Sequence, residues 1–102
     1  MNTKEYNGYT NYETWLVALW INNDEGLQDY VMEMAARSDG YAYHLADDMK
    51  AYFEDDKPEL SGMWADMLGA ALSEVDWDDL GETFMRDYEE EHKDEEEEDE
   101  DD

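Results

Sequence analysis

The sequence predicts an all-α protein, a compact bundle of four to five short helices that runs out into a disordered acidic C-terminal tail. Three observations carry that expectation. Apolar residues recur at helical spacing in five successive stretches. No stretch alternates polar and apolar residues for long enough to make a strand. All four Trp, eight Tyr and two Phe lie before residue 89, so the side chains able to fill a core belong to one small domain. The expected division is an acidic helical domain over residues 1–88 and a poly-acidic tail over 89–102.

The first helix is expected to start at a capping box, Thr10-Asn11-Tyr12-Glu13, in which the Thr hydroxyl and the Glu carboxylate satisfy each other's backbone donors. Tyr12, Trp15, Leu16, Leu19 and Trp20 then fall on one face. Asn22-Asn23-Asp24 offers a break and a new N-cap, followed by Leu27, Tyr30, Val31, Met34 and Ala35 and a stop near Ser38-Asp39-Gly40. The third pattern, Ala42, Leu45, Ala46, Met49, Tyr52 and Phe53, ends before Pro58, whose ring disfavours a helical residue ahead of it. Ser61 is the candidate cap of a fourth helix with Trp64, Met67, Leu68, Ala71 and Leu72 inward. Asp76 caps a fifth, with Trp77, Leu80, Phe84 and Tyr88 inward. Trp15, Leu19, Trp20, Trp64 and Trp77 are expected in or against the core, with Met34, Met49 and Met67 filling gaps between rings.

The chain carries 32 acids against 6 bases, a formal charge of −26. Up to residue 88 there are 20 acids and 5 bases; from residue 89 there are 12 acids and one base. Acidity is thus a property of the body as well as the tail. The tail has no apolar face, and like charges one turn apart repel, so fraying from Glu89 onward is expected.

Several function classes are disfavoured. The chain has no Cys, which removes thiol catalysis, disulfides and zinc–thiolate sites. His44 and His92 are its two imidazoles, and no phosphate-cradling glycine loop or HExxH motif occurs. His44, beside the third apolar stripe, is expected to be a half-buried structural residue. Asp76, Asp78 and Gly81 match three positions of a calcium loop, but Leu80 and Asp87 stand where further ligands belong, and a helix start there would turn the oxygens apart. No enzyme, cofactor, catalytic residue or metal site is expected. The longest apolar run, Trp15 to Ile21, is far short of a membrane span, and a soluble cytoplasmic protein is expected.

The acids themselves are the strongest signal. Glu25, Asp29 and Glu33 form an i, i+4, i+8 ladder without a base among them. The third helix adds Asp47, Asp48, Glu54 and Asp55, and the fifth adds Asp78, Asp79, Glu82 and Asp87. Each unrelieved pair costs a few tenths of a kcal/mol, so the pattern opposes stability and points to a partner. A compact body ~30 Å across would match in length a piece of duplex holding about 18 phosphates, against a net 15 charges up to residue 88. These eleven residues are therefore the candidate partner-binding set, as phosphate surrogates in a DNA-mimic inhibitor. The expected partner is a basic DNA- or RNA-binding protein of a host. Nucleic acid and membranes would be repelled, and a homodimer is left open. The alternatives are an acidic interaction module or chaperone that holds a basic partner through its tail, and an acidic surface adapted to high salt.

Residues 6 to 27, YNGYTNYETWLVALWINNDEGL, resemble the TNYETW…ALWI.ND opening of a family of small phage- and plasmid-borne proteins without an assigned activity. Residues 73 to 84, SEVDWDDLGETF, are similar to the VNW..I segment of that family, with Asp76 in place of Asn and Leu80 in place of Ile. Together these stretches cover about a third of the chain. The resemblance implies a mobile-element origin and a host cell cytoplasm as the place of action. It supplies no catalytic residue, and it favours host restriction or CRISPR machinery as the target class. The extreme acidity and the long tail depart from the family's composition.

Overall fold

The computed structural model describes residues 6–93, and the expectation of a disordered tail lies outside these residues from position 94 onward. The architecture is all-α, with five helices in the described part: α1 (Tyr12–Asn23), α2 (Glu25–Ala36), α3 (Ala42–Asp56), α4 (Gly62–Ser73) and α5 (Trp77–Glu91). Glu89 to Glu91, assigned to the tail from sequence, continue α5.

Ahead of α1 the chain turns tightly. Asn7 and Gly8 both have positive φ, 50° and 92°, and Tyr6 and Tyr9 exchange both backbone hydrogen bonds across them. Asn-Gly is the pair best suited to that turn, because each residue tolerates a left-handed backbone. The cap of α1 differs from expectation. Asn11 is the N-cap, its Oδ1 accepting from the Thr14 N–H at 2.9 Å and from the Thr14 hydroxyl at 2.6 Å. The Thr10 hydroxyl is instead drawn away to the far end of the chain.

That long-range contact closes the fold. The Thr10 N–H donates to Asp79 Oδ2 at 3.0 Å, and its hydroxyl lies 2.8 Å from Asp76 Oδ2 and 3.0 Å from Asp79 Oδ2. Asn11 Nδ2 donates to the Glu74 carbonyl at 2.7 Å, and the Asp76 N–H donates to Thr14 Oγ1 at 2.8 Å. Asp76 meanwhile caps α5 by accepting from the Asp79 N–H at 3.1 Å. The start of α1 is thus clasped to the turn before α5, across more than 60 residues of sequence.

The core is built by α3 and α5 in the most extensive contact, with α2 packed on both and α1 on α2 and α5. Leu45, Ala46 and Met49 of α3 meet Trp77, Leu80, Phe84 and Met85 of α5; Val31, Met34 and Ala35 join from α2, and Ala18 and Ile21 from α1. Burying a side chain the size of Phe84 or Leu80 contributes about 1.5–3 kcal/mol. Gly81 lets the two central helices touch: a Cβ there would sit 2.6 Å from the Ala42 carbonyl oxygen and 2.9 Å from Ala46 Cβ.

The first apolar stripe is turned from its expected position. Thr14, Ala18 and Ile21 face the core, whereas Tyr12 and Trp20 are exposed and Trp15 and Leu19 are half-buried. Because α1 is apolar nearly all round, periodicity alone does not select a face. The displaced rings cluster instead, with Tyr6, Tyr12 and Trp15 centroids 5.2–5.7 Å apart. The larger departure is α4, which buries no residue at all; its predicted inward residues Trp64 and Met67 are 61% and 55% exposed.

Three predictions test this packing. Gly81→Ala gains about 1 kcal/mol of helix propensity but overpacks a backbone contact worth about 1–3 kcal/mol, so urea denaturation is expected to show a net loss. Gly69→Ala on α4, where a Cβ meets nothing within 4 Å, is expected to stabilise by up to about 1 kcal/mol in the same assay. Thr14→Val keeps the volume but strips the Asp76 N–H of its acceptor. The expected cost is about 1–3 kcal/mol, read as a lower urea midpoint at unchanged slope.

Candidate functional site

Ten of the eleven candidate carboxylates stand on helical surfaces open to solvent: Glu25, Asp29, Glu33, Asp47, Asp48, Glu54, Asp55, Asp78, Glu82 and Asp87 are exposed. Asp79 is not among them. It is 4% exposed, and its Oδ2 accepts from the Thr10 backbone. It belongs to the clasp, and an anion so placed cannot meet a partner.

The helices set where the ten acids point. On α2 the ladder Glu25, Asp29, Glu33 advances by about 40° per step, since four residues overshoot one turn. It lies opposite Val31, Met34 and Ala35, the side that enters the core. On α3 the seven-residue spacing pairs Asp48 with Asp55 and Asp47 with Glu54, on separate flanks of the helix. Asp48 and Asp55 line an open groove between α2 and α3 with Tyr30, Arg37 and Tyr52. Glu54 lies on the other side, where Lys50, Lys57, Leu72 and Trp77 share a shallow cleft with it. On α5, Asp78 and Glu82 share one flank and Asp87 lies on the other. Asp48 and Asp55 thus share a groove with α2, but its α2 lining is Tyr30, Met34 and Arg37 and not the ladder, and the full set is spread around the molecule.

Charge density narrows what such a surface can imitate. The described residues measure 59 × 34 × 22 Å, longer than the roughly 30 Å expected of a compact body. A duplex 59 Å long carries about 35 phosphates and one of its strands about 17. Residues 6–93 hold 22 acids and 5 bases, a net −17, the charge of one strand over that length.

Sequence reasoning missed the apolar half of the surface. Trp20 and Trp64, expected against the core, are 64% and 61% exposed, and Met63 and Leu60 stand out beside Trp64. A groove of about 290 Å³ runs between α1, the end of α3 and α4, lined by Leu16, Val17, Trp20, Phe53, Leu72 and Trp77 among others. The available signal was composition: α4 is apolar on nearly every side, which marks a helix in need of a cover. His44 also departs from expectation. It is exposed and packs edge-on against Tyr43 at 4.4 Å and Tyr41 at 5.4 Å.

Among the described residues no group of three His, Asp or Glu side chains is placed to hold a metal ion. None of the described helices is long and apolar enough to cross a membrane.

A family model described as a family of unknown function (DUF7249) matches residues 2–99. No curated protein and no solved structure matches the chain.

The α2–α3 groove holds a group tuned by these surroundings. Tyr52, half-buried, stacks edge-on against Tyr30 at 4.7 Å and Phe53 at 4.9 Å. Its hydroxyl is held above the ordinary value of 10.0, first by burial and then by charge interactions with Asp56, Tyr30 and Asp24. Above about pH 10 the unfolded chain releases that proton while the folded chain retains it, so this contribution to stability falls as pH rises. Tyr52→Phe is expected to lose less stability than the wild type between about pH 9 and about pH 11. Urea midpoints at the two pH values check this.

Proposed function

The chain belongs to the DUF7249 family of unknown function, and since no activity comes with that membership, we propose one from the surface: an acidic decoy that inhibits a nucleic-acid-binding protein by occupying its basic groove. The observation that carries this reading is the set of ten carboxylates held exposed on ordered helices. A side chain on a helix has its position set by the backbone, so the anions are presented with their spacing already fixed. That reduces the ordering cost of binding, which a flexible acidic segment bears in full.

The chemistry is that of phosphate replacement. Lys and Arg side chains in a nucleic-acid groove are placed to meet a row of oxyanions, and the α2 ladder with the Asp48/Asp55 pair offers five on adjacent helices. A charge density near that of one strand suits a groove which holds a single strand or a partly opened duplex. The resemblance of residues 6–27 to phage- and plasmid-borne proteins directs the reading toward a host defence protein of the restriction or CRISPR type. No bond is made or broken in this mechanism. Inhibition is competition for a site.

The test uses the full chain immobilised in host lysate, with captured proteins eluted by duplex DNA at constant ionic strength. Specific partners are expected to leave with the DNA. The triple variant Glu25→Lys, Asp29→Lys, Glu33→Lys is expected to capture at least about tenfold less at about 0.1 M salt. Removal of residues 94–102 is expected to leave most of the binding in place. Partners that resist elution by DNA sink the reading, and loss of capture on removing the tail alone transfers the activity to the acidic-module alternative.

A further inference from the structure

We propose that the apolar groove between α1, the end of α3 and α4, continued by the outer face of α4, binds a basic amphipathic helix of a partner protein. This goes beyond the decoy reading, because it assigns a contact whose energy comes from apolar burial and which the carboxylate ladder does not touch.

Three observations lead there. First, α4 carries Asp66 as its one charged residue and is only half-covered on one side. Ala65, Leu68 and Leu72 are half-buried, while Met63, Trp64 and Met67 are 62%, 61% and 55% exposed and Leu60, just ahead of the helix, is 46% exposed. At ~200 Å² for a large side chain, these four present on the order of 450 Å² of surface, the size of patch that marks an interaction site. Two of them are Met, whose unbranched side chains adapt to the shape of a partner.

Second, the groove beside α4 is concave and apolar. Its volume of about 290 Å³ receives an anchoring side chain or two, and Trp20, 64% exposed, stands at its edge. Leu72 belongs to both α4 and the groove and so joins the two surfaces.

Third, charge selects the occupant. Asp56 and Lys57, the charged residues lining the groove, balance each other, but the segment from Glu54 to Ser73 that carries the end of α3 and α4 holds five acids, Glu54, Asp55, Asp56, Glu59 and Asp66, against Lys57 alone, a net −4. A second copy of the chain would bring another −4 to the same contact, on a molecule already at −26. A helix with Leu-type residues on one face and Lys or Arg on its flanks meets the apolar centre and cancels the rim.

The test is a titration of the full-length protein with two synthetic peptides of about 18 residues and identical Leu and Lys content. One has the residues ordered for an amphipathic helix, and the other is scrambled to abolish the apolar face. Tryptophan emission reports binding, and sedimentation at the same concentration reports self-association. The amphipathic peptide is expected to bind at least about tenfold more tightly than the scrambled one, with emission shifted to the blue. The double variant Trp64→Ser, Met67→Ser alters two exposed side chains, leaves far-ultraviolet circular dichroism unchanged, and is expected to lose that advantage. Equal binding of both peptides would overturn the proposal, since charge alone would then account for the contact. So would a dimer that this double variant converts to monomer, because the occupant would then be a second copy. The variant Glu25→Lys, Asp29→Lys, Glu33→Lys is expected to keep its preference for the amphipathic peptide. Failure of competition by DNA thus bears on the decoy reading alone, and failure of the peptide preference on the groove alone.

Discussion

The hydrogen-bonded clasp between the start of α1 and the turn before α5 is the constraint on which the remaining structure depends. Thr10, Asn11 and Thr14 supply three side chains, and Glu74, Asp76 and Asp79 answer with a carbonyl, an amide and two carboxylates. Bringing together residues more than 60 positions apart carries a loop-closure cost that one contact of about 1 kcal/mol would not offset. Several such bonds around the buried Thr14 do so together, and they fix the direction in which α1 and α5 leave the junction. The junction joins residues 10–14 to residues 74–79. A physical reason for the residue types follows: short hydroxyl and amide side chains on one strand of the clasp, capping carboxylates on the other.

The second constraint is electrostatic. A body of this charge has to fold against its own repulsion, and it does so with a narrow core in which α3 and α5 approach at Gly81 closely enough for backbone to meet backbone. The acids stand on the surfaces left over. One exception, Asp79, is drawn inward by the clasp, so the same residue type serves a structural end within one turn of Asp78 and Glu82, which face solvent. The surface is then divided by character: carboxylates over α2, the outer flanks of α3 and α5, and an apolar region where α4 lies.

Much of this was legible in the sequence. The periodic stripes of α2, α3 and α5, the caps at Asp24 and Asp76, and the break before Pro58 all follow from side-chain spacing and backbone chemistry, and the helices stand where those signals put them. What failed did so for identifiable reasons. α1 and α4 are apolar on nearly every side, so a periodicity argument has no phase to work with, and size alone points Trp20 and Trp64 inward although both are exposed. Local spacing marks Thr10 as a cap, whereas its acceptors Asp76 and Asp79 lie far along the chain, where local spacing carries no information. The Asn7-Gly8 turn had a recognisable signature, two residues at ease with positive φ, and its message is local enough to read. For the candidate acids, exposure on helices was inferable for ten, and the burial of Asp79 was not, since it follows from Thr10.

The independence of α4 from the interior has an evolutionary corollary. A helix that buries no residue and touches the core through Leu72 can have its outward residues rewritten without threatening the fold, so long as the connection to the Glu74–Asp76 turn survives. Lineages carrying the same scaffold could then diverge in what they recognise while the clasp and the α3–α5 crossing stay fixed. Recognition and architecture would be inherited on separate terms, with turnover concentrated between Leu60 and Ala71.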